Sequence, residues 1–114
     1  MAEHEYIVLS RPPEGVSAAD FNEWYDGHMR EILELPGWVS AQRSALTMRG
    51  HRGEAFEYSY LVRYGIDGDL EAALGGLREA VDAGRLYFPD WFPQIRTSGY
   101  TVAPLTETVL AVAA

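Results

Sequence analysis

His28 is the side chain in this sequence best suited to proton chemistry, because an imidazole changes charge at about pH 6.5 and can give or take a proton there. It stands in the series Phe21, Trp24, Tyr25, His28, Ile32. That three-to-four spacing is one face of a helix, so the ring lies on the stripe that turns inward. An inward imidazole is either a hydrogen-bonded core residue or a general acid or base in a pocket, and both readings stand at this point. Glu31, three residues on, lies beside it on the helix and is the in-helix partner; Asp26, two residues away, points elsewhere. Trp24 and Tyr25 supply flat walls.

Two other places concentrate suitable side chains. In Tyr87-Phe88-Pro89-Asp90-Trp91-Phe92-Pro93, four aromatics and two prolines surround one aspartate. This segment is either a lid packed on the core or a pocket wall, with Phe88, Trp91 and Phe92 as its surface and Asp90 as its polar group. Tyr58 and Tyr60 follow Phe56 on an alternating stretch, either as packing or as phenol donors to a developing enolate or phenolate oxygen.

The elements that must position these residues can be read in order. Glu5 to Ser10 is a β-branched and aromatic run ending at Arg11-Pro12-Pro13, a strand apolar enough to be covered on both faces. Ser17 caps a helix with Asp20 in its first turn, and the helix stops at Leu35, before Pro36 and Gly37. Trp38 to Met48 reads as a strand, Gly50 to Gly53 as a hairpin loop, and Ala55 to Tyr64 as a strand with Phe56, Tyr58, Tyr60, Val62 and Tyr64 on one face. Asp67-Gly68-Asp69 caps a second helix with the stripe Leu70, Leu74, Leu77, Val81 and a stop at Gly84. Gln94 to Pro104 is a fourth strand, with Gly99 marking a bulge or a close ligand approach. Strand, helix, strand, strand, helix, strand is the ferredoxin-like βαββαβ order, an α+β fold with a four-stranded antiparallel sheet and both helices on one face. The other face of the sheet then needs cover, and a second copy of the chain is the natural one.

Composition bounds the function. A chain of 114 residues is one domain, with a core over about 5–104 and an apolar tail over 105–114 suited to the interface between copies. A formal net charge of −8 argues against nucleic-acid and anionic-membrane partners, which need a basic patch. There is no cysteine, so disulfides, thiolate metal sites and cysteine nucleophiles are excluded. His4, His28 and His51 fall in separate elements, so no metal site is expected. No run of about twenty apolar residues and no basic leader is readable, which makes the cytoplasm the expected compartment.

The pattern Phe21-x-x-Trp24-Tyr25-x-x-His28, followed by Leu33, Pro36 and Gly37, resembles the first helix of the dimeric α/β-barrel superfamily, specifically its EthD-like branch. Arg30 departs from the proline that many relatives carry two residues after the histidine. The resemblance implies a homodimer with a pocket between sheet and helices in each subunit. It also implies a repertoire that includes cofactor-free monooxygenases, cyclases, dehydratases and isomerases, alongside haem-dependent enzymes. With no arginines placed for haem propionates near His28, no cofactor is expected.

The expected activity is thus a cofactor-independent lyase, cyclase or isomerase that acts on a small apolar molecule, aromatic or polyketide-like. His28 is its acid or base, Tyr58 or Tyr60 its oxyanion donor, and Asp90 or Glu31 the group that orients the imidazole. Trp24, Tyr25, Phe56, Phe88, Trp91 and Phe92 are the expected substrate contacts. A cofactor-free monooxygenase using the same residues is the alternative. A non-catalytic small-molecule-binding or assembly protein, with His28 purely structural, is the alternative of another class.

Overall fold

The first helix begins where Ser17 accepts a hydrogen bond from the Asp20 backbone N–H at 3.1 Å, satisfying one of the orphan donors of its first turn. In the computed structural model, which describes residues 2–47, 51 and 56–112, this helix is α1 (Ala18–Ile32). It follows β1 (His4–Arg11) and precedes β2 (Trp38–Ala45), β3 (Tyr60–Ile66), α2 (Leu70–Asp82), a single 3₁₀ turn at Phe92–Gln94, and β4 (Arg96–Val102). The four strands form one antiparallel sheet in the order β2-β3-β1-β4, the ferredoxin-like α+β arrangement expected from the element order.

Residues opposed across the strands share a face, which puts Tyr6 with Tyr64 and Thr101, Val8 with Val62 and Gly99, and Ser10 with Tyr60 and Thr97. This face meets the helices: Val62, Tyr64 and Ile66 are buried in one cluster with Phe21, Trp24, Tyr25 and Ile32 of α1 and Ala73 and Ala80 of α2. Trp38 ties β2 to α2, its indole N–H donating to the Ala73 carbonyl at 3.0 Å in the core.

Several elements differ from expectation for identifiable reasons. α1 ends at Ile32 with Leu33 as its cap, because residues 33–35 bond back as turns before Gly37 adopts φ +89°, a left-handed value that glycine tolerates. β3 starts at Tyr60 and runs to Ile66, so its inner face is Tyr60, Val62, Tyr64 and Ile66; Phe56 and Tyr58 precede the strand and pack on each other. The end expected for β2 at Met48 and the hairpin over Gly50 to Gly53 fall almost wholly outside the described residues, with His51 an exposed turn. The buried line of α2 is Ala73 and Ala80 rather than the leucines, which pack half-buried to either side, and Val81 is exposed. Small residues on that line let the helix approach the sheet closely, and Ala73 sits 3.3 Å from where a Gly37 side chain would begin. At Gly99 the ladder is regular, with no bulge. The close approach there comes from the Tyr6 ring, whose Cζ would lie 2.9 Å from any Cβ at that position.

Trp38→Ala should lower stability by about 3–5 kcal/mol, read by urea unfolding, because it empties a fully enclosed aromatic site. Trp38→Phe should cost less than half of that, since the Ala73 carbonyl keeps its helical partner.

Candidate active site

On α1, residues four apart stack, and Trp24 and His28 do so with ring centroids 4.7 Å apart and planes 20° from parallel. Tyr25 presents its edge to the imidazole at 5.7 Å and Phe88 closes the third side at 5.4 Å. The His28 side chain is thereby 11% exposed, and its Nδ1 is sealed from solvent with no hydrogen-bond partner among the described residues. No backbone carbonyl among the described residues holds Nδ1. Burial without a partner disfavours the charged ring and lowers its pKa to about 4, so the imidazole is neutral at pH 7.

The nearest acid to Nδ1 is Glu31, at 3.9 Å, beyond hydrogen-bond reach but within reach of a small rotation. Glu31 is occupied elsewhere: its carboxylate accepts from the Tyr87 backbone N–H at 3.2 and 3.3 Å. The Tyr87 carbonyl accepts from the Trp24 indole at 3.0 Å. Both sides of the Tyr87 peptide are therefore tied to α1, and this places the aromatic segment over His28. Phe88 and Phe92 pack against Trp24 at 6.2 and 5.4 Å, and Trp91 meets it edge-on at 5.4 Å.

Two hollows meet at His28. An outer groove of about 540 Å³ is lined by Trp24, Gly27, His28 and Trp91, with Asp20, Glu23 and Glu31 as its acids and Tyr87 and Pro89 at its rim. An inner cavity of about 220 Å³ lies between sheet and helices, walled by Trp24, Tyr25, His28, Ile32, Phe88 and Phe92 on one side and by Tyr6, Val8, Tyr64 and Thr97 of the sheet on the other. Leu77, Val81 and Ile95 complete it.

Three phenols reach this inner cavity. Burial raises the Tyr25 pKa to about 12, only partly opposed by Arg43, whose guanidinium lies 4.6 Å over its ring, and by a hydrogen bond with Ser10. Burial likewise pushes Tyr64 well above the usual phenol range. Both remain protonated donors at neutral pH. The Tyr64 hydroxyl, on a residue only 1% exposed, has no partner among the described residues.

Of the site residues expected from sequence, His28, Trp24, Tyr25, Phe88 and Phe92 meet at the inner cavity, while Glu31 and Trp91 line the outer groove. The structure does not bring the others to either hollow. Asp90 is exposed. Tyr60 stacks on Phe21 at 5.5 Å and accepts from Asn22 at 3.5 Å, with Arg43 over its ring; Tyr58 packs on Phe56, which is 60% exposed. Tyr6 and Tyr64 hold the positions on the cavity wall that were expected of Tyr58 and Tyr60. The same-face series already contained Tyr64, but only the register with β1, which pairs it with Tyr6, shows which rung of the strand lies under α1. Among the described residues, no three His, Asp or Glu side chains gather as a metal site.

No known family model matches the sequence, and no curated protein matches it. The fold does have solved relatives. A protein of Arabidopsis thaliana superposes with a TM-score of 0.69 at 10% identity, over 93% of this chain and 99% of that one. The hydroxynitrile lyase of Passiflora edulis gives 0.59 at 14% identity, over 94% and 96%. SnoaB of Streptomyces nogalater, a cofactor-independent oxygenase, gives 0.50 at 17% identity, over 92% and 96%. The chain thus shares its fold with lyase and oxygenase enzymes of small size.

NMR titration of the imidazole should place the His28 midpoint near 4. The sign for stability follows: the unfolded chain binds a proton at His28 below about pH 6.5 while the native chain does not until about pH 4. Wild type should therefore lose stability relative to His28→Gln as pH falls through that window, by up to about 2–3 kcal/mol at its lower end. Parallel unfolding curves for the two proteins from pH 7 to 4 would contradict the burial of a neutral ring.

Proposed function

We propose that this protein is a cofactor-independent enzyme that moves a proton on a small, largely apolar molecule, with His28 as the acid or base. The observation that carries this reading is the pairing, on one cavity, of an imidazole whose Nδ1 has no partner among the described residues with a buried phenol that likewise has none among them. A histidine kept for structure would have its Nδ1 bonded to a carbonyl, and among the described residues this one is not. The solved relatives named above support the class, since a lyase and a cofactor-free oxygenase share the fold.

In this mechanism the substrate enters the inner cavity with a carbonyl or hydroxyl oxygen at Tyr64. Nδ1 and the Tyr64 hydroxyl are both sealed in the free protein; the exchange with substrate falls to Nε2, and contact with the phenol requires the cavity side chains to part. For abstraction next to a carbonyl, the C–H bond breaks, the proton moves to Nε2, and the electron pair passes to the oxygen, where the Tyr64 O–H stabilises the charge. The imidazolium so formed now has a use for Glu31: a rotation of the carboxylate brings it within hydrogen-bond reach of Nδ1–H. In the reverse sense the same imidazolium protonates a leaving group. Lyase, cyclase and isomerase reactions share this proton path, and so does an oxygenase in which the substrate anion itself reduces oxygen.

Activity should be sought as deuterium exchange next to a carbonyl, cleavage of aromatic hydroxynitriles, and oxygen uptake with phenols. In whichever of these responds, His28→Ala should lower kcat/KM by at least about 10³-fold, Tyr64→Phe by about 10–100-fold, and Asp90→Asn by less than twofold. Because the free enzyme must hold His28 neutral, kcat/KM should stay flat from pH 8 to about 5 and fall below about 4. Full activity in folded His28→Ala would overturn His28 as the acid or base, whereas wild type inactive in all three assays would leave the non-catalytic binding protein as the reading.

The same reading includes a homodimer through the outer face of the sheet. That face carries Leu9 and Leu61 half-buried and Tyr100 45% exposed. The segment after β4 carries Leu105, Val109, Leu110 and Val112 at 80–98% exposure, which is unusual for a monomer and suited to burial against a second copy. Sedimentation equilibrium should give twice the chain mass, and removal of residues 105–114 should shift the protein towards monomer.

A further inference from the structure

The geometry points to a substrate class narrower than the proton-transfer reading on which it rests: the inner cavity takes a neutral, single-ring molecule with a short substituent whose oxygen accepts from the Tyr64 hydroxyl.

Three independent features converge on this class. The first is volume. A cavity of roughly 150 Å³ holds benzene, so about 220 Å³ matches one ring with two or three further atoms. The walls are shaped for a flat ring, with Trp24, Tyr25, Phe88 and Phe92 presenting aromatic surfaces.

The second feature is charge. Among the described residues no Lys or Arg lines the cavity, and His28 is neutral at pH 7. Arg43, whose guanidinium lies 4.6 Å over the Tyr25 ring and whose charge reaches Tyr64, is engaged by Asn22 at 3.0 Å and Asp26 at 3.5 Å. A carboxylate in the cavity would be a buried, unpaired anion, which is strongly unfavourable. An anion approaching through the outer groove would also meet Asp20, Glu23 and Glu31.

The third is the orphan donor. Tyr64 is 1% exposed, its hydroxyl has no protein partner among the described residues, and burial keeps it protonated. A ligand carbonyl or hydroxyl oxygen supplies the missing acceptor, whereas a pure hydrocarbon leaves it unmet. The ring stacks among the aromatics while the oxygen sits on the sheet, and the atoms next to that oxygen face His28 across the cavity.

The test is a binding panel read by calorimetry and chemical-shift titration at pH 7 on wild type and Tyr64→Phe, a variant that removes only a hydroxyl already without a partner. The probes are acetophenone, ethylbenzene, benzoate and 9-acetylanthracene. Acetophenone should bind best, shift the Trp24 and His28 resonances, and lose about tenfold in affinity in Tyr64→Phe, while ethylbenzene should be indifferent to that substitution. Benzoate should bind at least about 100-fold more weakly than acetophenone. The class is overturned if benzoate or the tricycle binds as well as acetophenone, or if Tyr64→Phe affects acetophenone and ethylbenzene alike. Binding is read without turnover, so the two readings fail separately. Selective binding without His28-dependent proton exchange sinks the catalytic reading and leaves the ligand class. Exchange that proceeds on the tricycle keeps the catalysis and sinks the class.

Discussion

The stack of the His28 imidazole on the Trp24 indole takes a ring nitrogen out of water without giving it a partner, and the rest of the site follows from that contact. A polar atom buried this way costs free energy, and the protein tolerates it by keeping the proton off and by surrounding the ring with aromatic faces. The result is an uncharged base enclosed in an apolar cavity. Orphaned, desolvated groups of this kind concentrate where a protein does chemistry, because their missing interactions become available when a ligand arrives.

Holding that stack needs two further constraints. Rings at positions 24 and 28 only lean on each other; the third wall comes from the segment after α2, and its placement depends on a single peptide. Tyr87 is bonded through its N–H to Glu31 and through its carbonyl to Trp24, so α1 grips the segment at the two residues that flank His28. Glu31 anchors the aromatic wall and is also the carboxylate nearest Nδ1, at 3.9 Å. On the opposite side, the phenols are held by sheet register, and Gly99 leaves the space that the Tyr6 ring occupies.

How much of this was legible in the sequence depended on how local the signal was. The helix bearing His28 announces itself through its cap, its period and the proline that follows, and the stacking of residues four apart is geometry that spacing alone supplies. The α+β order was equally readable, because each strand and helix carries its own pattern. The partners across the cavity were not. Tyr64 and Tyr60 are equivalent on a strand of period two, and only the pairing with β1 and the position of α1 distinguish the rung under the helix from the rung at its edge. Asp90 looked like the polar group of an aromatic wall, yet it stands between Pro89 and Trp91 in a turn that directs the aromatic rings inward and leaves the carboxylate in solvent. The leucines of α2 misled for a different reason. Large side chains mark the sides of a helix that packs closely, and its centre line is the one that carries alanine.

The strands that build the cavity also build the surface on which a second copy is proposed to sit, and alternation keeps the two uses apart. Tyr6, Val8, Val62 and Tyr64 face the helices, while Ile7, Leu9, Leu61 and Arg63 face outward. Register links the faces: slipping β3 by one residue against β1 would exchange Tyr64 for Arg63 on the inner face and move a cation into a cavity whose neutrality defines what it accepts. The ion pair of Arg63 with Glu5, 3.1 Å apart on the outer face, works against that slip, because it is made only when those two side chains lie on the same side of neighbouring strands. Exposed pairs of this kind add little to stability. Here the pair's value lies in the alternative it excludes, since the outward polar residues of β1 and β3 help hold the inward phenol opposite His28.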